Sequence, residues 1–214
     1  MNISKVSSQQ SRILGENGLL GIPQQDLLKF LLSFDPKKPL PKKVHELLVG
    51  YLLVQFLEDD QKESAIIGFP AAEDWGKQCI EVPLTLDWLL EHDELLIDDT
   101  DADIMVRSSG ITIKYQVTRF VYPVGGNALR RLADLIAYKC KHQQPDPHLN
   151  LLVSIERTPH ITESELQSLL IHTSIPFNSI LLIMKSSRAK GEIKFCSLYP
   201  KMVIGKTVHT RLPI

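Results

Sequence analysis

The spacing of apolar residues changes several times along the chain, and each change marks an element. In "KVHELLVGYLLVQFLEDDQKE", Leu47, Leu48, Tyr51, Leu52, Val54 and Phe56 recur at helical spacing. Further apolar residues flank them, so the stretch predicts a long, well-buried helix. The acidic cluster Glu58 to Asp60 opposes the helix dipole and predicts the stop. Upstream, Pro23 to Phe34 reads as a short amphipathic helix with proline near its first turn. Between the two, "DPKKPLPKK" carries three prolines and reads as a positively charged connector. Residues 1 to about 20 are rich in Ser, Gln, Asn and Gly and read as loosely ordered.

The second half gives clearer signals. "NALRRLADLIAYKCKHQ" predicts a helix capped by Asn127, with Leu129, Leu132, Ala133, Ile136 and Ala137 on one stripe. "HLNLLVSIE" predicts a buried strand. "TESELQSLLIHT" predicts a helix opened by a capping box of Thr162 and Glu165. "SILLIMKS" is nearly uniform in its apolar character, as a central strand covered on both faces would be. "EIKFCSLYP" reads as a final strand. In the less regular region Ser64 to Asp101, "AIIGF" reads as a short strand, and "CIEVPLTLDWLLEHDELL" opens as a strand and closes as a helix. Helices and strands in this order predict an α/β or α+β class, with a mixed β-sheet flanked by helices. The expected organisation is an N-terminal extension with a short helix over 1–40 and a core domain over 41–214.

One stretch, "DADIMVRSSGITIKYQVTRF", predicts a hairpin, Asp101 to Phe120. Alternation puts Ile111, Ile113, Tyr115 and Val117 on one face and Thr112, Lys114, Gln116 and Thr118 on the other. With Ser109-Gly110 as a two-residue loop, Ser108 opposes Ile111, Val106 meets Ile113, Ile104 meets Tyr115, and Asp103 meets Gln116. A slip of one residue would mix the faces. A slip of two would keep them and pair Asp103 with Lys114. In either register the polar face gathers a carboxylate, an amide oxygen and a hydroxyl. Such oxygens suit Mg²⁺, which could polarise a phosphodiester and activate water.

Composition narrows the setting. The 214 residues include 24 basic and 25 acidic side chains, for a net charge of -1. This argues against a dedicated nucleic-acid coat, although a local basic groove is compatible with it. Three separated cysteines without a CxxC pair fit a reducing, cytoplasmic setting and argue against a zinc knuckle. No apolar run suggests a signal peptide or a membrane span, so no membrane partner is expected. HExxH, GxSxG, Walker A and GxGxxG spacings are all missing. Gly125-Gly126 precedes a helix N-terminus that could hold a phosphate; a flexible turn is the plainer reading.

The hairpin and the elements after it resemble the core of the PD-(D/E)XK nuclease superfamily, the restriction-endonuclease-like fold. That family places an acid on one strand, then an acid or Gln two residues before a lysine on the next, then a helix and another strand. Asp103 matches the first acid and Gln116 the second. The helix from Asn127 and the strand at Leu149 to Ile155 match the later elements, and the likeness covers about Val44 to Tyr199. Thr118 stands where the family has its lysine. Lys114, Lys139 and Lys141 are the candidates for a relocated one; Arg119 alternates to the other face. A further acid often comes from the preceding helix, where Glu46 suits better than Glu58, and Asp101 is a candidate second ligand.

The resemblance implies a Mg²⁺-dependent deoxyribonuclease hydrolysing phosphodiester bonds. Asp103, Gln116, Thr118 and Lys114 would be catalytic, and Asp103, Gln116 and Glu46 would hold metal. Arg130, Arg131 and Lys139 would grip DNA. Arg130 and Arg131, in the first turn of their helix, are poorly placed for its dipole, which favours a phosphate-facing role. The rival expectation is a catalytically inactive nuclease-like interaction module in a defence or mobile-element system. A third is a homo-oligomer, a homodimer for instance, formed by "SILLIM" pairing at a sheet edge.

Overall fold

The structure, a computed structural model, describes residues 11–16, 19–34, 40–57, 65–70, 79–82, 86–91, 102–108, 111–121, 127–155, 163–168, 170, 174–185, 192–201, 203–209 and 212. Glu58, Asp101, Ser109-Gly110, Gly125-Gly126 and Thr162 lie outside them.

Among the described residues the elements run β1 (Ser11–Glu16), β2 (Leu19–Pro23), α1 (Gln24–Leu32), α2 (Lys42–Leu57), β3 (Ile66–Pro70), β4 (Cys79–Val82), α3 (Leu86–Glu91), β5 (Ile104–Ser108), β6 (Ile111–Phe120), α4 (Ala128–His142), β7 (Asp146–Ile155), α5 (Glu163–Ser168), β8 (Phe177–Lys185), β9 (Glu192–Tyr199) and β10 (Val203–His209). The ten strands form one mixed sheet in the order β10-β9-β8-β7-β6-β5-β3-β2-β1-β4. Strands β6, β7 and β8 run parallel, and the other neighbours pair antiparallel. The α/β class therefore holds, with helices against a mixed sheet.

The hairpin has the expected register: Ser108 faces Ile111, Val106 faces Ile113 and Ile104 faces Tyr115. The pairing that would have opposed Asp103 to Lys114 is not adopted. Lys114 opposes Met105 instead. From β6 the chain crosses through α4 and returns as β7, parallel to β6, with Gln116 beside Leu151 and Thr118 beside Val153. On its other side β5 pairs antiparallel with β3.

Two cores lie on the two sheet faces. Strand β7 shows the division: Leu152 joins one, while Leu149, Leu151, Val153 and Ile155 join the other. The first core holds α1 and α2; the second holds Leu132, Ile136 and Cys140 of α4. Helix α2 is apolar nearly all round, and every residue from Val44 to Val54 is buried. It lies over β3 and β5 with α1 and β10 against its flanks. Gly50 sets how closely it approaches: a Cβ there would meet Ile67 Cγ2 at 2.7 Å and Ile104 Cδ1 at 3.1 Å. At its C-terminal end Phe56 stacks on Phe195 of β9, ring centroids 4.4 Å apart.

Asn127 caps α4 as expected, its Oδ1 accepting from the Arg130 N–H at 3.0 Å. Of the expected stripe, Leu132 and Ile136 are buried and Leu129 and Ala133 pack against the same core; Ala128 and Cys140 join them, and Ala137 is exposed.

Other expectations need correction. The first 20 residues are not uniformly loose: β1 and β2 form a hairpin inside the sheet, and β2 pairs with β3. Leu20 and Ile22 sit in the same core as α2. Lys42 and Lys43 are not connector but the first turn of α2, where the His45 N–H bonds the Pro41 carbonyl at 2.9 Å. A tenth strand, β10, follows the expected last one. Strand β8 lies between β7 and β9, so "SILLIM" has no free edge for pairing with a second copy. Among the described residues no helix is long and apolar enough to cross a membrane.

Candidate metal and phosphodiester site

Asp103 stands where β5 begins, and its own bonds explain why it stays there. Its N–H donates to the Tyr115 carbonyl at 2.9 Å. Its Oδ2 accepts from the Val117 N–H at 2.7 Å. The carboxylate thus takes the place of the next main-chain acceptor on the ladder and ends the strand with a charge-assisted hydrogen bond. One main-chain and one side-chain bond to β6 hold the residue, and the second oxygen, Oδ1, faces a cleft.

That cleft has a volume of about 350 Å³. Its walls come from four elements: Lys42, His45 and Glu46 of α2, Asp103, Gln116 to Arg119 of β6, and Lys139 of α4. Helices from opposite sheet faces therefore meet at one end of β5 and β6. The position, over the C-terminal half of a strand in a parallel run, is where open α/β sheets hold their ligands.

Glu46 is 3% exposed, in the middle of the apolar wall of α2. A buried carboxylate resists ionisation. Burial first, and then the charge of Asp103, push its pKa up to about 7, against the opposing pull of Lys42 and Lys43. Lys42 Nζ lies 3.4 Å from Glu46 Oε1 and 3.6 Å from Asp103 Oδ1. The contact with Glu46 is an ion pair without the alignment of a hydrogen bond, since Glu46 Oε1 has no hydrogen-bond partner among the described residues. Glu46 and then Asp103 raise the Lys42 pKa, which burial opposes, so the ammonium stays charged.

Gln116 shares the polar side of β6 with Thr118. Its Oε1 is also buried without a hydrogen-bond partner among the described residues. Leaving a buried oxygen unsatisfied costs on the order of 1–3 kcal/mol. The Gln116 oxygen, the Glu46 oxygen that only the Lys42 ion pair balances, and Asp103 Oδ1 form a ready set of hard oxygen donors on one cleft. Among the described residues no three His, Cys, Asp or Glu side chains gather as a metal cluster. The donor set is instead two carboxylates and one amide oxygen. That set fits Mg²⁺, which takes one or two carboxylates and keeps several waters.

The structure thus brings Glu46, Asp103, Gln116, Thr118 and Lys139 to one place. It leaves out Lys114, which lies off the cleft; its carbonyl accepts from Asn150 Nδ2 at 3.0 Å. Two residues short of Gln116 on the strand, Lys114 lies about 7 Å back from it. Arg130 and Arg131 are exposed and off the cleft. Eight residues separate Arg131 from Lys139, about 12 Å along the helix. Arg119, set aside on alternation, reaches the cleft rim where β6 ends. Lys42 and His45 are the residues that sequence reasoning passed over. The signal for Lys42 was present, a lysine four residues before Glu46 on one helix face, but the prolines around it marked a linker.

No protein-family model, no curated protein and no solved structure matches this chain.

Proposed function

We propose that the protein is a metal-dependent nuclease of the PD-(D/E)XK type that hydrolyses phosphodiester bonds in DNA. One observation carries the reading: Glu46 Oε1 and Gln116 Oε1, buried and without hydrogen-bond partners among the described residues, line one cleft with the anchored carboxylate of Asp103. The order of elements supports it. Helix α2 supplies Glu46, the antiparallel run β3, β5 and β6 supplies Asp103 and Gln116, and α4 leads to β7, parallel to β6.

In this reading Asp103 Oδ1, Glu46 and Gln116 Oε1 hold Mg²⁺. Bound there, the ion would polarise the phosphodiester and lower the pKa of an attacking water. The chain's own groups do the rest. The Val117 N–H keeps the Asp103 carboxylate aimed. The apolar wall of α2 keeps water from Glu46. Thr118 offers a hydroxyl to a phosphate oxygen, and Lys139 brings positive charge from the opposite face toward the strand being cut.

The test is cleavage of supercoiled plasmid, single-stranded DNA and RNA with Mg²⁺ or Mn²⁺, comparing the protein with Asp103→Asn. The amide keeps an oxygen for the Val117 N–H and removes the charge. DNA cleavage that falls at least about a hundredfold in the variant is the expected result. Cleavage equal in both, or none in either, sinks the catalytic reading and favours a module that binds without cutting.

A further inference from the structure

We propose that Lys42 is the resident counter-cation of the cleft and exchanges with the divalent ion, a role that rests on the metal-site reading above. The ammonium and the ion use the same oxygens. Lys42 Nζ is 3.4 Å from Glu46 Oε1 and 3.6 Å from Asp103 Oδ1. A divalent ion on those two atoms would lie against the ammonium, and two cations that close, in a site partly shielded from water, repel strongly. One leaves when the other arrives.

The side chains are built for that trade. Glu46 is 3% exposed and fixed in a packed helix, whereas the Lys42 side chain is 76% exposed. Four rotatable carbons let its head swing to solvent while the carboxylates stay in place. The position of Lys42 calls for such a reason. It lies in the first turn of α2, which has no acidic residue, and a cation there opposes the helix dipole. Its neighbour Lys43 takes another course, with its Nζ 5.3 Å above the Phe69 ring. Without metal, Lys42 holds two carboxylates that would otherwise repel each other. It preserves the shape of the site and lowers its affinity, so that loading is reversible.

The test is Mn²⁺ binding at pH 8, followed by electron paramagnetic resonance, on the full chain and on Lys42→Met, Lys43→Met and Glu46→Gln. Removing a partly exposed ion-pair partner should make Lys42→Met bind Mn²⁺ roughly fivefold more tightly. Lys43→Met changes the net charge equally without vacating the cleft, and should shift affinity by less than about twofold. If the parent binds Mn²⁺, Glu46→Gln does not, and Lys42→Met binds equally or more weakly, the exchange is wrong while the metal site stands. If the parent does not bind Mn²⁺, the metal reading fails and the exchange with it.

A second measurement holds even if Lys42→Met folds poorly. In the parent protein the ¹⁵Nζ resonance of Lys42, identified by its loss in Lys42→Gln, should move with Mg²⁺ over the same concentrations that fill the site. A resonance that stays put at saturating Mg²⁺ overturns the proposal.

Discussion

At the scale of single residues, Glu46 is costly to the fold in the form its proposed role requires. Its pKa in the folded protein is about 7, against an ordinary value of 4.5. The native state therefore holds its proton more tightly than the unfolded chain does. The resulting stabilisation is complete below pH 4.5 and is lost as pH rises through about 7. Metal-free protein should lose roughly 2–3 kcal/mol of unfolding free energy from this group between those limits. Urea denaturation from about pH 4.5 to about pH 8 measures it. Glu46→Gln, which carries no proton to lose, should flatten that slope and be the more stable form at the alkaline end. An unchanged slope would locate the titration elsewhere.

The residues also differ in how legible they were. Asp103 and Gln116 could be read because a strand alternates, so their shared side followed from a register the apolar face allows. Glu46 was reached through the resemblance, which looks for a further acid on the preceding helix, and its place within the apolar run set it ahead of Glu58. Lys42 could not, since its meaning depends on a partner from a distant segment: only the folding of α2 over β5 brings it to Asp103. Lys139, expected either on DNA or as a relocated lysine reaching in from the next helix, lines the cleft.

At the scale of elements, α2 is the part whose placement the site depends on. Gly50 lies one turn beyond Glu46 and lets the helix rest on Ile67 and Ile104, both fully buried. Gly50→Ala would gain about 1 kcal/mol of helix propensity. The added methyl group, 2.7 Å from the branched side chain of Ile67, would force the helix outward at an overpacking cost of about 1–3 kcal/mol. The expected net effect is a loss of stability of about 1 kcal/mol. Mn²⁺ binding should weaken too, because Glu46 moves with the helix while Asp103 stays tied to Val117. Urea denaturation and metal titration on the one variant test both. A variant more stable than its parent, with unaltered binding, would show that α2 has slack against the sheet.

Long periodic segments were legible at this scale, and α4, β7 and β8 lie where their patterns put them. Strands β1, β2 and β10 were not. Their sequences are short or broken by glycine, and they become strands through the neighbours they pair with. Gly21 opposes Gly68 on β3, where any Cβ on Gly68 would collide with the Leu20 carbonyl oxygen. That tolerance belongs to the pair and cannot be seen in either segment alone.

At the scale of the molecule, the net charge of -1 says little about where a polyanion would bind. Helix α4 alone carries Arg130, Arg131, Lys139 and Lys141 against Asp134. With Lys139 in the cleft wall and the arginines about 12 Å away toward the N-terminus, its positive charge extends outward from the candidate site. A nucleic-acid strand entering the cleft would follow this helix, each neutralised phosphate adding about one to the steepness with which log affinity falls against log salt. Lys139→Ala should reduce that steepness by about one and, if the proposed cleavage takes place in the cleft that Lys139 lines, also slow it. Arg130→Ala with Arg131→Ala should reduce it by about two, while leaving the rate at saturating DNA near that of the parent. Fluorescence anisotropy of labelled DNA between about 50 and about 200 mM salt, with single-turnover cleavage alongside, separates the two effects. If the double variant keeps the parental salt dependence, the strand leaves the cleft by another route, past Arg119 at the end of β6.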